Sequence, residues 1–285
     1  MIKMLAIDLD DTLLRQDLTI SLRTRRDIKK AISMGVLVVL ASGRISSTLG
    51  KYGKSLGLHK AQNGRHGYYV SHNGSCIRDS VSMEALKKEF LPPITALRVC
   101  DLADAEGFPV QIYEGDTMYI SKENEFTCLH HKLTGMNVVL APNFRELATS
   151  GCYKLLVPGD PMLLTPLLSI FETYLGDEAT IFTSKPYFLE VLPPGVDKAS
   201  ALAWIAEQEG IKSEEVMAIG DSMNDEAMIR WAGVGCAMIN GSDAAKQVAR
   251  IISERTNDDD GVAELIEKYI LNGEPLPGKK EELHG

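Results

Sequence analysis

The sequence predicts an α/β fold: a parallel sheet covered on both faces, interrupted by a long inserted α+β segment. Three observations carry this. Short β-type runs alternate with helical patterns at both ends of the chain, some runs are apolar at nearly every position, and the texture changes in the middle.

The first unit is strand, helix, strand. "KMLAID" is followed by "SLRTRRDIKKAISMG", whose Leu22, Ile28, Ala31, Ile32 and Met34 fit one helical face, with Ser21 as N-cap and Gly35 as stop. Then "VLVVLAS" is apolar until it ends in small polar residues, as expected for a central strand buried on both sides. The same grammar returns late. "KASALAWIAEQEG" reads as a helix ending at Gly210, "VMAIGDS" as a strand, "NDEAMIRWAG" as a helix and "VGCAMI" as a strand. Between them lie strand candidates "FPVQIY", "TMYIS", "MNVVL" and "CYKLLVP" and the helical "DPMLLTPLLSIFETYL". The expected division is residues 1–80 plus 187–285 for the core and 81–186 for the insert, entered near "NGSCIRDS" and left near "SKPYFLEVLPPG". The Pro- and Gly-containing tail "NGEPLPGKKEELHG" is expected to fray.

Composition narrows the function. With 285 residues and 45% hydrophobic content the chain can bury a sizeable core. A net charge of −9 opposes a nucleic-acid partner, because phosphate backbones are bound through surplus Lys and Arg. No stretch reaches the roughly 20 apolar residues that span a bilayer, and no secretory leader pattern opens the chain, so the expectation is a soluble cytoplasmic protein. Five widely spaced cysteines, Cys76, Cys100, Cys128, Cys152 and Cys236, read as buried thiols.

The chemistry concentrates at strand ends. In parallel sheets ligands bind beyond the carboxyl ends of the strands. Asp8, Asp10 and Asp11 follow the first strand, and alternation along an extended chain puts Asp8 and Asp10 on one side. A lone acid there is usually a cap or a solvated turn residue. Here "GDSMND" ends another strand with Asp221 and Asp225, "ASGR" ends a third with Ser42 and Gly43, and Lys198 opens a helix after "GVD". Acids, a hydroxyl, accessible amides and a cation suit phosphoryl transfer. Mg²⁺ prefers such oxygen ligands and shields an anionic phosphate from Asp side chains. One carboxylate can attack phosphorus, and Asp10 can protonate the leaving alkoxide.

In order and spacing, "DLDDT", "SGR", Lys198 and "GDSMND" resemble the four motifs of the haloacid dehalogenase superfamily of aspartyl phosphatases. "SHNG" before the insertion and "FLEVLPPGVDKASAL" after it resemble the Cof-type branch, and the likeness covers nearly the whole chain. It implies a Rossmann-like doubly wound core with an inserted cap that selects substrate. It implies that Asp8 is nucleophile and Mg²⁺ ligand, Asp10 general acid and base and a ligand through its carbonyl, and Asp221 the third ligand. Thr12, grouped with the phosphate-binding residues, would orient Asp10. The Leu9 and Gly43 amides, Ser42, Lys198 and Asn224 would hold the phosphoryl group, with Asp225 acting behind them or through water and Asp11 structural.

The substrate so implied is a small phosphorylated metabolite such as a sugar phosphate. Ser42 stands where relatives often have Thr, and Ala199 where they often have Gly. Arg44 reads equally as a substrate contact or a surface ion pair. His130 and His131 read as surface residues of the cap in preference to substrate contacts, Trp204 and Trp231 as core, and Asn73–Gly74 as a plain turn or a hinge. Four other readings share parts of the pattern. A receiver domain is less than half this length and lacks a late G-D-x-x-N-D. A dehalogenase has no need of Asp10 for a halide leaving group. A phosphomutase uses the same core, and a non-catalytic metabolite-binding regulator could retain the pocket.

Overall fold

A computed structural model describes residues 1–61 and 66–278. Among these, the strands form two sheets. The larger, of eight strands, has its centre in the parallel strands Val216–Gly220, Met4–Ile7 and Leu37–Ala41, side by side in that order. Their apolar runs follow from burial on both faces. Leu5, Ile7, Val38, Leu40, Met217 and Ile219 pack on one side against Ile28 and Ala31 of helix Leu22–Ser33 and Val262 and Leu265 of helix Gly261–Ile266. Met4, Ala6, Leu37, Val39, Val216 and Ala218 pack on the other against Leu202 and Ile205 of helix Lys198–Glu209 and Met228 of helix Glu226–Trp231. The core is therefore doubly wound, as expected.

The expected local signals appear where they were placed. The Ser21 side chain accepts from the Thr24 amide at the start of its helix, and Gly210 adopts a left-handed C-cap. Trp204 and Trp231 are half-buried at the rim of the second cluster, not inside it. Four of the five cysteines are buried, but Cys128 is exposed on helix Glu125–Thr134, so the expectation of five buried thiols is corrected. Of the tail, residues 279–285 lie outside the described residues.

The smaller sheet has six strands, in the order Thr180–Lys185, Phe188–Leu192, Leu155–Pro158, Gln111–Glu114, Thr117–Ile120 and Asn137–Leu140. Helices Pro93–Ala105 and Pro161–Leu175 cover one face. Ile112, Leu155, Val157, Leu189 and Val191 pack with Val99 of helix Pro93–Ala105 and Phe171 of helix Pro161–Leu175. The strand period of two puts Tyr113, Leu156, Phe188 and Glu190 on the opposite face, with Lys154 in step with Leu156. Sheet membership changes hands later than residues 81 and 186: Ala85–Lys88 pairs antiparallel with Cys76–Asp79 of the larger sheet, and Phe188–Leu192 belongs to the smaller. Residues 186 and 187 make a tight connection between the paired strands Thr180–Lys185 and Phe188–Leu192.

Candidate functional site

The three central strands end together, and the face of the smaller sheet that carries Tyr113, Phe188 and Glu190, with His130 of helix Glu125–Thr134 packed on it, stands across from them. Between lies a cavity of about 490 Å³ lined by Asp8, Asp10, Ser42, Gly43, Arg44 and Asn224 on one side and by Tyr113, His130, Lys154, Phe188 and Glu190 on the other.

Strand pairing stops at Ile7, with the Asp8 amide donating to the Ile219 carbonyl. The chain then makes one wide turn over Leu9–Leu13, with Asp11 left-handed at φ 56°, a conformation Asp tolerates better than most residues. The alternation assumed for an extended Asp8–Asp11 run thus does not hold; the turn itself aims Asp8, Asp10 and Asp11 at the cavity. It also carries Thr12 inward, where its hydroxyl donates to Asp221 Oδ1 at 2.8 Å. The expectation that Thr12 orients Asp10 is corrected: Thr12 is committed to Asp221.

Strand Val216–Gly220 delivers Asp221. Gly220 is required by close approach, since a Cβ there would lie 2.5 Å from the Asp225 side chain. Asp225 is fully buried; its Oδ2 accepts the Asp221 and Ser222 amides at 3.0 and 3.1 Å. Lys198, at the start of its helix, is also fully buried and donates to Asp225 Oδ1 and Asp8 Oδ1, each at 2.6 Å. Burial and the positive helix end both work against a charged amine there. Burial would lower its pKa, but the charges of Asp225 and Asp8 outweigh this and raise it.

Asp8, Asp221 and Asp225 place carboxylate oxygens within 4.8 Å of one another. The crowding is visible in their acidity. Burial, then the Asp225 charge, lifts the Asp8 carboxyl well above the usual range despite Lys198. Burial and Asp225 push Asp221 up to about 7, against the hydrogen bond from Thr12. Three acids facing one lysine form an all-oxygen donor set with uncompensated negative charge, which fits a hard divalent cation such as Mg²⁺.

The neighbouring strand end supplies the rest. Ser42 is buried after strand Leu37–Ala41, its amide bonded to the Val70 carbonyl and its oxygen accepting the Arg44 amide. Arg44 is partly buried at the cavity wall, and its guanidinium forks onto Asp10 with contacts of 2.8 and 2.6 Å. Asp11 pairs with Lys185 of the smaller sheet at 2.6 Å.

Several participants were given other roles from the sequence or were not named. Asn73, read as a turn, is buried; its amide nitrogen donates to Glu190 Oε2 at 2.8 Å and its oxygen accepts from Asn224 at 2.9 Å. A Cβ on Gly43 would come within 3.0–3.3 Å of that amide, so Gly43 lets Asn73 pack against the loop. Glu190 also accepts from Lys154 Nζ at 2.7 Å, both side chains being about 5% exposed or less. Burial would raise the Glu190 carboxyl, but Lys154 and hydrogen bonds from Lys154, Ser184 and Asn73 outweigh it and hold it below the usual range. His130, expected at the surface, is buried and bonded to Gln111 at 2.8 Å, and burial with the nearby Lys154 charge lowers it to about 3, so it is a neutral imidazole. His131 is exposed, as expected. The signal for Lys154 and Glu190 was there: one charge each within the apolar runs "CYKLLVP" and "FLEVL".

Comparison with known proteins agrees with this geometry. The family model for haloacid dehalogenase-like hydrolases matches residues 5–266. A Bacillus subtilis 5-amino-6-(5-phospho-D-ribitylamino)uracil phosphatase is 32% identical over 274 residues, covering 95% of this chain and 96% of that protein. The crystal structure of a haloacid dehalogenase-like hydrolase from Bacteroides thetaiotaomicron is 32% identical, with a TM-score of 0.82 over 95% of this chain and 100% of that one. A subclass IIB sugar phosphatase of the same superfamily shares the fold at 22% identity, with a TM-score of 0.79 over 94% of this chain and 98% of its own. Among the described residues no helix is long and apolar enough to cross a membrane. The chain belongs to the haloacid dehalogenase-like hydrolase family, and within it is a phosphoric monoester hydrolase.

Proposed function

We propose that the protein is a Mg²⁺-dependent phosphatase of small phosphorylated metabolites, sugar phosphates among them, acting through an aspartyl-phosphate on Asp8. The observation that carries this is Asp8 at the cavity wall, bonded to Lys198, with Asp10 beside it and Asp221 and Asp225 behind.

In this reading an Asp8 oxygen bonds to phosphorus as the bond to the leaving oxygen breaks, and Asp10 gives that oxygen a proton. Water then attacks the acyl phosphate, Asp10 takes back a proton, and phosphate leaves with Asp8 restored. The Arg44 fork holds the Asp10 carboxyl group in place at the cavity wall. Lys198 holds Asp8 in place, while Ser42, the Leu9 and Gly43 amides and Asn224 face the transferred group. Asp8, the Asp10 carbonyl and Asp221 would hold Mg²⁺, which supplies charge neutralisation on the phosphoryl oxygens. Asp225 anchors Lys198 and the Asp221 loop. The smaller sheet acts as the substrate-selecting cap.

The test is phosphate release from sugar phosphates, nucleotides and an aryl phosphate, with Mg²⁺ or with excess chelator. Release that stops in chelator is the expected result; undiminished release in chelator would refute the metal assignment.

A pH effect follows from the raised acids. Between about 4 and 7 an unfolded Asp is ionised while folded, metal-free Asp221 keeps its proton, so stability falls as pH rises, by up to about 1.4 kcal/mol per pH unit per group. Bound Mg²⁺ replaces the proton and removes this loss. The rise in melting temperature on adding Mg²⁺ should therefore be larger at pH 8 than at pH 5. An equal or smaller rise at pH 8 would contradict the assignment.

A further inference from the structure

We propose, resting on the phosphatase reading above, that the group released with the phosphate is uncharged, and that the buried Lys154–Glu190 pair enforces this selection. The two residues sit on the face of the smaller sheet that looks toward Asp8, and both line the cavity. They are bonded to each other at 2.7 Å, so the wall they form carries no net charge.

Three further cations of the wall are paired in the same way. Arg44 is forked onto Asp10, Lys185 is paired with Asp11, and Arg15 with Asp260. Lys132 stands exposed at the rim. A substrate with a second anion would lose its water on entry and find the deep cations already committed, with the Glu190 carboxylate among its new neighbours. A neutral group meets no such opposition. The Tyr113 hydroxyl, the neutral His130 ring and Ser184 offer hydrogen bonds to hydroxyl or amide groups, and Phe188 and Leu156 offer apolar surface. At about 490 Å³ the cavity is of the size that encloses a small metabolite, and far larger than a phosphoryl group. The substrate class is thus a phosphomonoester of a neutral, hydroxyl- or ring-bearing alcohol.

The test uses matched open-chain pairs in which a carboxylate replaces a hydroxymethyl group: glucitol 6-phosphate against 6-phosphogluconate, and glycerol 3-phosphate against 3-phosphoglycerate. In the wild-type protein with Mg²⁺, kcat/KM should favour the neutral member of each pair by at least about tenfold. Glu190→Gln keeps an oxygen for Asn73 and Lys154 but leaves the lysine charge unmatched, so the ratio should move toward the acids by about tenfold or more. Lys154→Gln, which leaves Glu190 as the unmatched charge, should move it the other way. Equal kcat/KM within the wild-type pairs would overturn the inference without any variant, and a ratio unmoved in both folded variants would overturn the role of the pair. If no ester, the aryl phosphate included, releases phosphate, the phosphatase reading fails and takes this inference with it. That outcome is distinct from release without selection.

Discussion

Asp8→Asn is expected to reduce phosphate release by about four orders of magnitude or more while leaving the fold intact. The rate prediction follows from removing the attacking oxygen, since losing a nucleophile costs most of an enzyme's acceleration and not a single contact. The stability prediction follows from the surroundings. Burial and the Asp225 charge make an ionised Asp8 unfavourable, so a neutral amide of the same shape relieves repulsion. Lys198 keeps Asp225 as a partner in the variant. Without metal, the variant should melt at or above the wild-type temperature, and its advantage should grow as pH rises and Asp8 would otherwise ionise. Turnover within tenfold of wild type would reject Asp8 as nucleophile, and a large fall in melting temperature would reject the account of its strain.

Lys198→Met should have the opposite balance, losing stability as well as activity. The amine is the shared partner of two buried carboxylates at 2.6 Å each, and Met fills similar volume without the charge. Breaking a buried ion pair from one side costs about 3–5 kcal/mol, because the remaining charge is neither solvated nor matched. Denaturant unfolding at pH 7 should show a loss of that order. The deficit should shrink toward low pH, where Asp8 takes up a proton and no longer needs the lysine. A loss below about 1 kcal/mol would mean that solvent or a neighbouring group already compensates these acids.

The parallel core was legible because its rules are local. Continuous apolar runs at Leu37–Ala41 and Val216–Gly220 mark strands buried on both faces, and a cap residue such as Ser21 marks where a helix begins. Strand ends then mark the site, which is why Asp8, Ser42 and Asp221 could be named together before any geometry was known. What escaped depends on contacts far apart in sequence. Thr12 turns to Asp221, 209 residues away, because the chain leaves its strand in a wide turn that alternation cannot anticipate. Asn73 looked like a turn residue from its Gly neighbour; only the docking of Glu190 and Asn224, 117 and 151 residues distant, shows its amide joining the two sheets. His130 sits on a short helix with polar neighbours, and its burial comes from packing against Phe188 of another strand.

The most direct test of the aspartyl-phosphate is chemical trapping. Enzyme with Mg²⁺ is mixed with a substrate that it turns over, quenched in acid within the turnover time, and reduced with borohydride, which converts an acyl phosphate to the alcohol. Peptide mass analysis should then find homoserine at position 8, dependent on substrate and absent from Asp8→Asn. Rapid phosphate release with Asp8 recovered unmodified at every quench time, under conditions that trap a known acyl phosphate, would contradict covalent catalysis at this residue.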